Sequence, residues 1–133
     1  MNWRRFNAHA PWILMMIAIT IESSIKNIKL PDLGITWTDK LAHFCVYGIM
    51  GWVLARGMVL SKIKYPFLLA ILIGFVFGIT DEWHQSFVPG RDSSVFDLMA
   101  DLIGLLVFAN LYRLFISFFP IKTSDSIKQE NSG

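Results

Sequence analysis

Cysteine is almost absent from this chain, and so is any repeated pattern. The single cysteine among 133 residues, Cys45, has no second cysteine with which to form an internal disulfide, so it reports no redox compartment. We expect it to serve in helix packing. There is no internal repeat and no low-complexity segment. The net charge of +2 is small, which argues against nucleic acid as a partner.

Apolar side chains are what the sequence has in abundance. Hydrophobic residues make up 54% of the chain and aromatic residues 14%. A soluble domain of this size could not hide so much apolar surface in its core. The surplus must face lipid, so the composition predicts a membrane protein with membrane lipids as its surroundings.

Four apolar stretches are bounded by polar or turn residues, at about 11–25, 39–60, 65–85 and 95–119. The last three have roughly the 20 residues that a bilayer requires. The first is shorter and follows Arg4 and Arg5, as a secretory signal would, but no A-x-A-like cleavage pattern occurs near Glu22. We therefore expect it to be retained. The predicted fold is an all-α, integral membrane, up-down bundle of four transmembrane helices.

The predicted organisation is a basic cytoplasmic N-terminus at 1–10, the membrane domain at 11–120 and a disordered polar tail at 121–133. Eight basic residues fall on one side of the bundle: Arg4, Arg5, Arg56, Lys62, Lys64, Arg113, Lys122 and Lys128. Four fall on the other: Lys26, Lys29, Lys40 and Arg91. This excess favours both termini on the cytoplasmic side of a bacterial inner membrane.

Polar residues gather at the opposite, extracytoplasmic face of the predicted bundle, where the ends of helices one and three meet the starts of helices two and four. They are Glu22, Asp39, Lys40, His43, Tyr47, Asp81, Glu82, His84, Gln85, Arg91, Asp97 and Asp101. Residues 39, 43 and 47 share one side of a helix, as do 81 with 85 and 97 with 101. Three polar rows therefore point to a single cavity.

Helix capping is the simplest interpretation of Asp39 and Asp97 taken alone. Ser94 with Asp97 resembles a capping box, and Asp39 lies in a first helical turn, where free N–H groups favour an acid. Asp81 and Glu82 differ, because they stand in a last turn, where the carbonyl ends disfavour negative charge. A nearby lysine or arginine, a protonated histidine or a bound cation is needed to compensate.

Six acids of this region outnumber the two bases Lys40 and Arg91, which leaves a formal excess of four negative charges; the acids are Asp39, Asp81, Glu82, Asp92, Asp97 and Asp101. Protonation, water or a cation could relieve this excess. Carboxylates beside His43 and His84 suit magnesium, manganese or zinc, yet no zinc-binding spacing such as HExxH is present. The sequence thus signals a divalent metal cofactor only weakly.

Histidine titrates nearest neutrality, and an aspartate can orient its ring, which makes both histidines of the cluster candidate general acids or bases. A histidine that merely donates to a carbonyl or carboxylate is an equally supported alternative. The candidate catalytic residues are His84, His43, Asp81, Glu82 and Asp97. The candidate substrate-binding residues are Arg91, Lys40, Asp39, Tyr47 and Gln85; for Tyr47, packing with a satisfied hydroxyl is the ordinary alternative.

The segment Val88-Pro89-Gly90-Arg91 is typical of a tight turn, because proline presets its first central position and glycine accepts a positive φ at the second. We expect Arg91 to pair with Asp81 or Glu82; binding an anionic substrate group is the alternative. Gly74 with Gly78, and Ala100 with Gly104, predict close helix packing, with oligomerisation as the less favoured interpretation.

The run from Asp39 to Phe44, Tyr47, the run from Asp81 to Ser94, Asp97 and Gly104 together resemble the VanZ-like family of small bacterial integral membrane proteins. The resemblance covers about residues 36–110, and the DExHQxFVPGR stretch is its most specific part. Asp101 departs from the family pattern, which often has asparagine there. The family is named for a protein linked to teicoplanin resistance, so the resemblance implies a role in the cell envelope or the glycopeptide-antibiotic response.

Three function classes follow from these residues. The first is a hydrolase- or transferase-type enzyme acting on a lipid-linked envelope substrate, with a histidine as acid or base. The second is a site that binds an envelope lipid or an amphiphilic antibiotic without making bonds. The third is structural, with the ionisable groups fixing the bundle. No nucleophile or oxyanion stabiliser can be identified from the sequence, so whether this is an enzyme stays open.

Overall fold

The computed structural model describes residues 3–25, 37–91 and 93–119, with the backbone alone for Arg4. These residues form four helices: α1 (Trp3–Ser24), α2 (Thr38–Leu60), α3 (Pro66–Gln85) and α4 (Val95–Phe118). No strand occurs in these ranges, so the all-α prediction is confirmed. The predicted tail at 121–133 lies outside them, together with Asp92 and the basic residues Lys26, Lys29, Lys122 and Lys128.

Helix α1 begins at Trp3, eight residues before the apolar stretch from which it was predicted, and continues through Pro11. Proline lacks the N–H that would bond the carbonyl four residues earlier, which is that of Asn7. Arg56 of α2 supplies a donor instead, with its Nη1 2.9 Å from the Asn7 carbonyl oxygen. A side chain of the neighbouring helix therefore satisfies the carbonyl that the internal proline leaves free.

Three of the described helices, α2, α3 and α4, are long and apolar enough to cross a membrane. Large apolar side chains remain exposed along them, among them Leu68, Leu72 and Val76 on α3. This outer surface matches the excess of apolar residues in the composition, since lipid is the solvent that such a surface needs. That α1 also crosses the membrane remains a prediction.

Glycines set the distance between the helices. A Cβ at Gly104 of α4 would collide with the backbone carbonyl of Phe44 on α2, and one at Gly51 would lie 2.9 Å from the carbonyl oxygen of Leu105. On α3, Gly74 and Gly78 are buried against side chains of the same chain. The prediction of close packing is confirmed for Gly74, Gly78 and Gly104, and the contacts are made within one chain.

Neighbouring helices alternate in direction, as their side-chain contacts show. Ser23 at the end of α1 bonds Asp81 near the end of α3, and Lys40 at the start of α2 bonds Asp97 at the start of α4. Tyr47 in the first half of α2 also bonds Asp81, so the starts of α2 and α4 lie beside the ends of α1 and α3. These four helix termini form one end of the bundle, hereafter the site end. Cys45 is exposed on α2, so the packing role expected for it is wrong within this chain.

Candidate functional site

Asp81 is the most fully satisfied acid of the site end. Its Oδ1 accepts a hydrogen bond from the Ser23 hydroxyl at 2.6 Å, and its Oδ2 accepts from the Tyr47 hydroxyl at 3.1 Å and from Gln85 Nε2 at 3.0 Å. Donors from α1, α2 and α3 therefore converge on one buried carboxylate. A cation was expected to compensate this acid, but three uncharged donors do so.

Lys40 provides a positive charge at the site and forms its shorter ion pair with Asp97. Its Nζ lies 2.6 Å from Asp97 Oδ1 and 3.3 Å from Asp39 Oδ2. Asp97 is only 2% exposed, whereas Asp39 is exposed. A buried carboxylate is costly unless it is paired, so the shorter contact is the one that the fold requires. Capping is thus not the main role of Asp97.

His43 stands between two further acids. Its Nδ1 is 2.9 Å from Asp101 Oδ1 and 3.9 Å from Glu82 Oε1. Asp101 is completely buried. The imidazole ring of His43 stacks on the ring of Tyr47, with 6.3 Å between the two centroids. The histidine is therefore fixed in orientation by a carboxylate at one nitrogen and by an aromatic ring along one face.

Glu82 links the start of α4 to the end of α3. Its Oε2 accepts the backbone N–H of Ser94 at 2.9 Å, while the Ser94 hydroxyl caps α4 by accepting the N–H of Phe96 at 3.2 Å. The predicted cap at Ser94 is confirmed. In a capping box the third helical residue would bond the cap N–H, but here an acid from the neighbouring helix takes that place, which leaves Asp97 free to bond Lys40.

Two predicted site residues lie apart from this cluster. His84 is exposed, and its Nε2 is 3.0 Å from the Ser24 hydroxyl rather than beside an acid. Arg91 does follow a tight turn, in which its N–H bonds the Val88 carbonyl and Gly90 has a φ of 81°. Its guanidinium pairs with Glu22 at 3.1 Å, so the expected pairing with Asp81 or Glu82 is wrong.

Two overlapping groups of side chains have ligand atoms close enough to hold a metal ion. They are His43 with Glu82 and Asp101, and His43 with Asp39 and Asp97, and within each group the ligand atoms lie within 4.8 Å of one another. The first group is more deeply buried, because Asp39 of the second is exposed.

A cleft of about 250 Å³ opens between the end of α3 and the start of α4. Glu82 and the side chains of Ser86, Ser93 and Ser94 give it a polar side, while Trp83, Val95 and Leu98 give it an apolar one. Trp83 and Val95 are among the most exposed apolar side chains of the bundle. Glu82 therefore separates this amphipathic cleft from His43 in the interior.

A family model described as VanZ/LLP1 matches residues 2–116, a range that contains all four helices except the last two residues of α4. The chain belongs to the VanZ/LLP1 family. This membership, together with three membrane-compatible helices, identifies the chain as a multi-pass membrane protein of VanZ type.

This VanZ/LLP1 chain is also similar to an uncharacterized protein of the yeast Schizosaccharomyces pombe, with 31% identity over 74 residues. The aligned part is 56% of this chain and 46% of the yeast protein, so the chain spans less than half the length of that relative. No solved structure matches the chain significantly.

Sequence reasoning missed Ser23 as a member of the site. It is fully buried and donates to Asp81, with Gln85 Nε2 3.4 Å from its hydroxyl. It lies one helical turn after the buried Ile19, on the same side of α1. A serine at the end of an apolar stretch gives no sign of this role, because serine is also the ordinary residue of a helix end.

Proposed function

We propose that this chain is a four-span protein of the bacterial inner membrane whose extracytoplasmic site binds the polar head group of an envelope amphiphile, in particular a lipid-linked precursor. The observation that carries the proposal is the amphipathic cleft, with Trp83 and Val95 on its apolar side and Glu82 at its polar wall. An amphiphile aligned with the helices would place its hydrocarbon chain along Trp83 and Val95 and its head group beside Glu82. Membership of the VanZ/LLP1 family supports a role in the envelope or in the glycopeptide-antibiotic response.

Helix α1 is the fourth span in this proposal. Its 22 residues extend about 33 Å at 1.5 Å per residue, which is close to the roughly 30 Å thickness of a bilayer core. Ile13, Leu14, Ile17 and Ile21 are exposed along it, which suits lipid contact. Ser23 at its end enters the buried network around Asp81, so the helix is part of the bundle rather than a detached anchor.

The sidedness follows from the distribution of charge. All six acids that the structure describes lie at the site end, whereas the cations Arg56, Lys62, Lys64 and Arg113 lie toward the other end. Because positive residues favour the cytoplasmic side, this asymmetry supports an extracytoplasmic site and cytoplasmic termini.

Cysteine labelling in intact cells tests the sidedness. In a Cys45→Ser background, Ser93→Cys should react with a membrane-impermeant maleimide in intact cells. Lys64→Cys, the matched position in the loop at the other end, should react only after permeabilisation. The opposite pattern would place the site in the cytoplasm and contradict the proposal.

Lipid binding is tested by mass spectrometry of the lipids that copurify with the protein in mild detergent. Trp83→Ala should reduce the copurified amphiphile severalfold, because it removes the apolar wall of the cleft. Trp37→Ala is the matched control, since Trp37 is 66% exposed against 68% for Trp83 and lies at the same end of the bundle outside the cleft. Equal lipid content in both variants, or none in the parent protein, would contradict binding at the cleft.

Catalysis on the same amphiphile is the second candidate function. The observation that favours it is the His43–Asp101 contact of 2.9 Å, since a carboxylate that orients an imidazole is the usual support of a general base. Incubation of the protein with a bacterial lipid extract should then yield a product, and His43→Gln should abolish it while binding persists. Binding without turnover in the parent protein would leave the first function alone.

A further inference from the structure

We infer that His43, Glu82 and Asp101 bind one divalent transition-metal ion of the zinc or manganese type. The inference rests on the proposed function, because it concerns the inner wall of the same site and supplies the cation that an anionic head group would meet. The observation behind it is that two of the buried acids at the site end have partners of their own, while the other two share one histidine.

Two of the four buried acids already have the partners they need. Asp81 accepts hydrogen bonds from three uncharged donors, and Asp97 is paired with Lys40 at 2.6 Å. Glu82 and Asp101 are left to share a single titratable partner, His43. When both carboxylates are ionised, one negative charge is in excess at this point if the histidine is protonated and two are in excess if it is neutral.

Each of these two acids also has a buried oxygen without a hydrogen-bond partner in the described part of the chain. These atoms are Glu82 Oε1 and Asp101 Oδ2. Buried polar atoms are nearly always satisfied, so two unsatisfied carboxylate oxygens on neighbouring helices require an explanation. Glu82 Oε1 is the oxygen that faces His43 Nδ1, at 3.9 Å.

The distances suit one shared ion. Two ligand atoms at about 2.1 Å from a metal are roughly 3.0 Å apart when cis, roughly 3.4 Å in a tetrahedron and roughly 4.2 Å when trans. The separations from His43 Nδ1 to Asp101 Oδ1 and to Glu82 Oε1 are 2.9 Å and 3.9 Å, which lie within about 0.2 Å of that range. The ligand oxygens of Glu82 and Asp101 lie within 4.8 Å of each other. The ion would replace the proton that His43 and Asp101 now share.

The donor set indicates the kind of ion. An imidazole nitrogen favours zinc and other transition ions over magnesium, while carboxylates also suit manganese. Three protein ligands leave coordination positions open to water or to a substrate oxygen, as in catalytic rather than structural metal sites. The competing group, with Asp39 and Asp97, is disfavoured because Lys40 already neutralises Asp97 and contacts Asp39.

The test is metal binding by the purified full-length protein in detergent, stripped with EDTA and titrated with ZnCl₂, MnCl₂ or MgCl₂ under equilibrium dialysis. We expect about one zinc or manganese per chain, with zinc held more tightly than magnesium. Glu82→Gln and Asp101→Asn should each weaken zinc binding at least tenfold. Asp39→Asn, which removes an acid of the competing group, should weaken zinc binding far less than either of these variants.

A spectroscopic measurement on the parent protein guards against variants that fail to fold. With bound Mn²⁺, pulsed electron paramagnetic resonance should detect one histidine nitrogen, and His43→Gln should remove that signal. No stoichiometric binding by the parent protein, a tighter site for magnesium, or loss of binding only in Asp39→Asn would overturn the inference.

The two proposals fail separately. If amphiphile copurifies equally with and without EDTA and no metal binds, the metal site is wrong and the proposed function stands. If the metal binds as expected but no amphiphile copurifies with the parent protein, the metal site stands and the proposed function is wrong.

Discussion

The two ends of the helical bundle handle polar groups in opposite ways. At the site end, Asp81, Glu82, Asp97 and Asp101 are buried, and each depends on side chains or backbone groups from other helices. At the other end, Arg56 donates to the backbone carbonyl and to the side-chain amide oxygen of Asn7 while remaining in contact with solvent. The Ser61 hydroxyl there forms a hydrogen bond with the ring of His9. One end is a coupled network of charges, and the other is a set of separate polar contacts.

This difference distinguishes the end of the bundle that we propose as a site from the end that is only packed. Glycines bring neighbouring helices into close contact in both halves of the bundle, whereas buried acids occur at the site end alone among the described residues. Burying them lowers the free energy of unfolding unless every one is paired. Their concentration at a single end, beside an open cleft, therefore supports the proposed site, whereas packing is enough to explain the contacts at the other end.

The largest expected contrast is between the two interhelical cations. Lys40→Met should lower the free energy of unfolding by about 3 kcal/mol, because it leaves Asp97 buried without its ion pair. Arg56→Met should cost about 1 kcal/mol or less, since the carbonyl of Asn7 is free to bond water instead. Titration with sodium dodecyl sulfate in mixed micelles measures both. Equal losses would show that the ends do not differ in this way.

A control separates the lost ion pair from lost packing. The double variant Lys40→Met with Asp97→Leu removes both charges and should recover most of the loss, since an apolar pair of similar size is often no less stable than a buried ion pair. If the double variant is less stable than Lys40→Met alone, the buried charge was not the cause.

Two buried tyrosines provide the next contrast. Tyr47→Phe should cost about 1.5–3 kcal/mol, because its hydroxyl donates to the carboxylate of Asp81. Tyr112→Phe should be neutral or slightly stabilising, because the Tyr112 hydroxyl is buried without a hydrogen-bond partner in the described chain. The same detergent titration reports both. A large loss on Tyr112→Phe would point to a polar partner at the other end and weaken the comparison.

Packing glycines should behave alike at the two ends. Gly104→Ala at the site half and Gly57→Ala at the other half each bring a methyl group against a backbone carbonyl, of Phe44 and Ala8 respectively. We expect each to cost about 1–3 kcal/mol, because the backbone must move to accept it. Ile103→Ala, at an exposed position beside Gly104, is the control and should cost less. If only one glycine is sensitive, the ends also differ in packing, and the contrast is not purely electrostatic.

The smallest effect is expected within the site end itself. Arg91→Gln removes an ion pair in which the side chain of Glu22 is 52% exposed and that of Arg91 is 14% exposed, and pairs open to solvent contribute about 0–1 kcal/mol. Thermal unfolding followed by intrinsic fluorescence should hardly change. A loss comparable to that of Lys40→Met would place Arg91 in the buried network.

Much of the site could be predicted because helical spacing fixes which residues share a face. The rows at 39, 43 and 47 and at 97 and 101 follow from 3.6 residues per turn, and the cap at Ser94 and the turn at Gly90 follow from local chemistry. The partners of these residues could not be predicted. Which of two histidines meets an acid depends on how each helix is rotated about its axis, and the spacing does not contain that rotation.

The sequence by itself determined that this chain is helical, that its surface faces lipid and that the acids of its four helices gather at one end, because composition and periodicity act along each helix separately. Only the tertiary structure decided that Asp101 meets His43, that Glu82 bonds the cap of α4 and that Ser23 belongs to the site. Those pairs are 58, 12 and 58 residues apart. The first pair joins α2 to α4, the two helices that Gly104 brings into close contact at the backbone of Phe44.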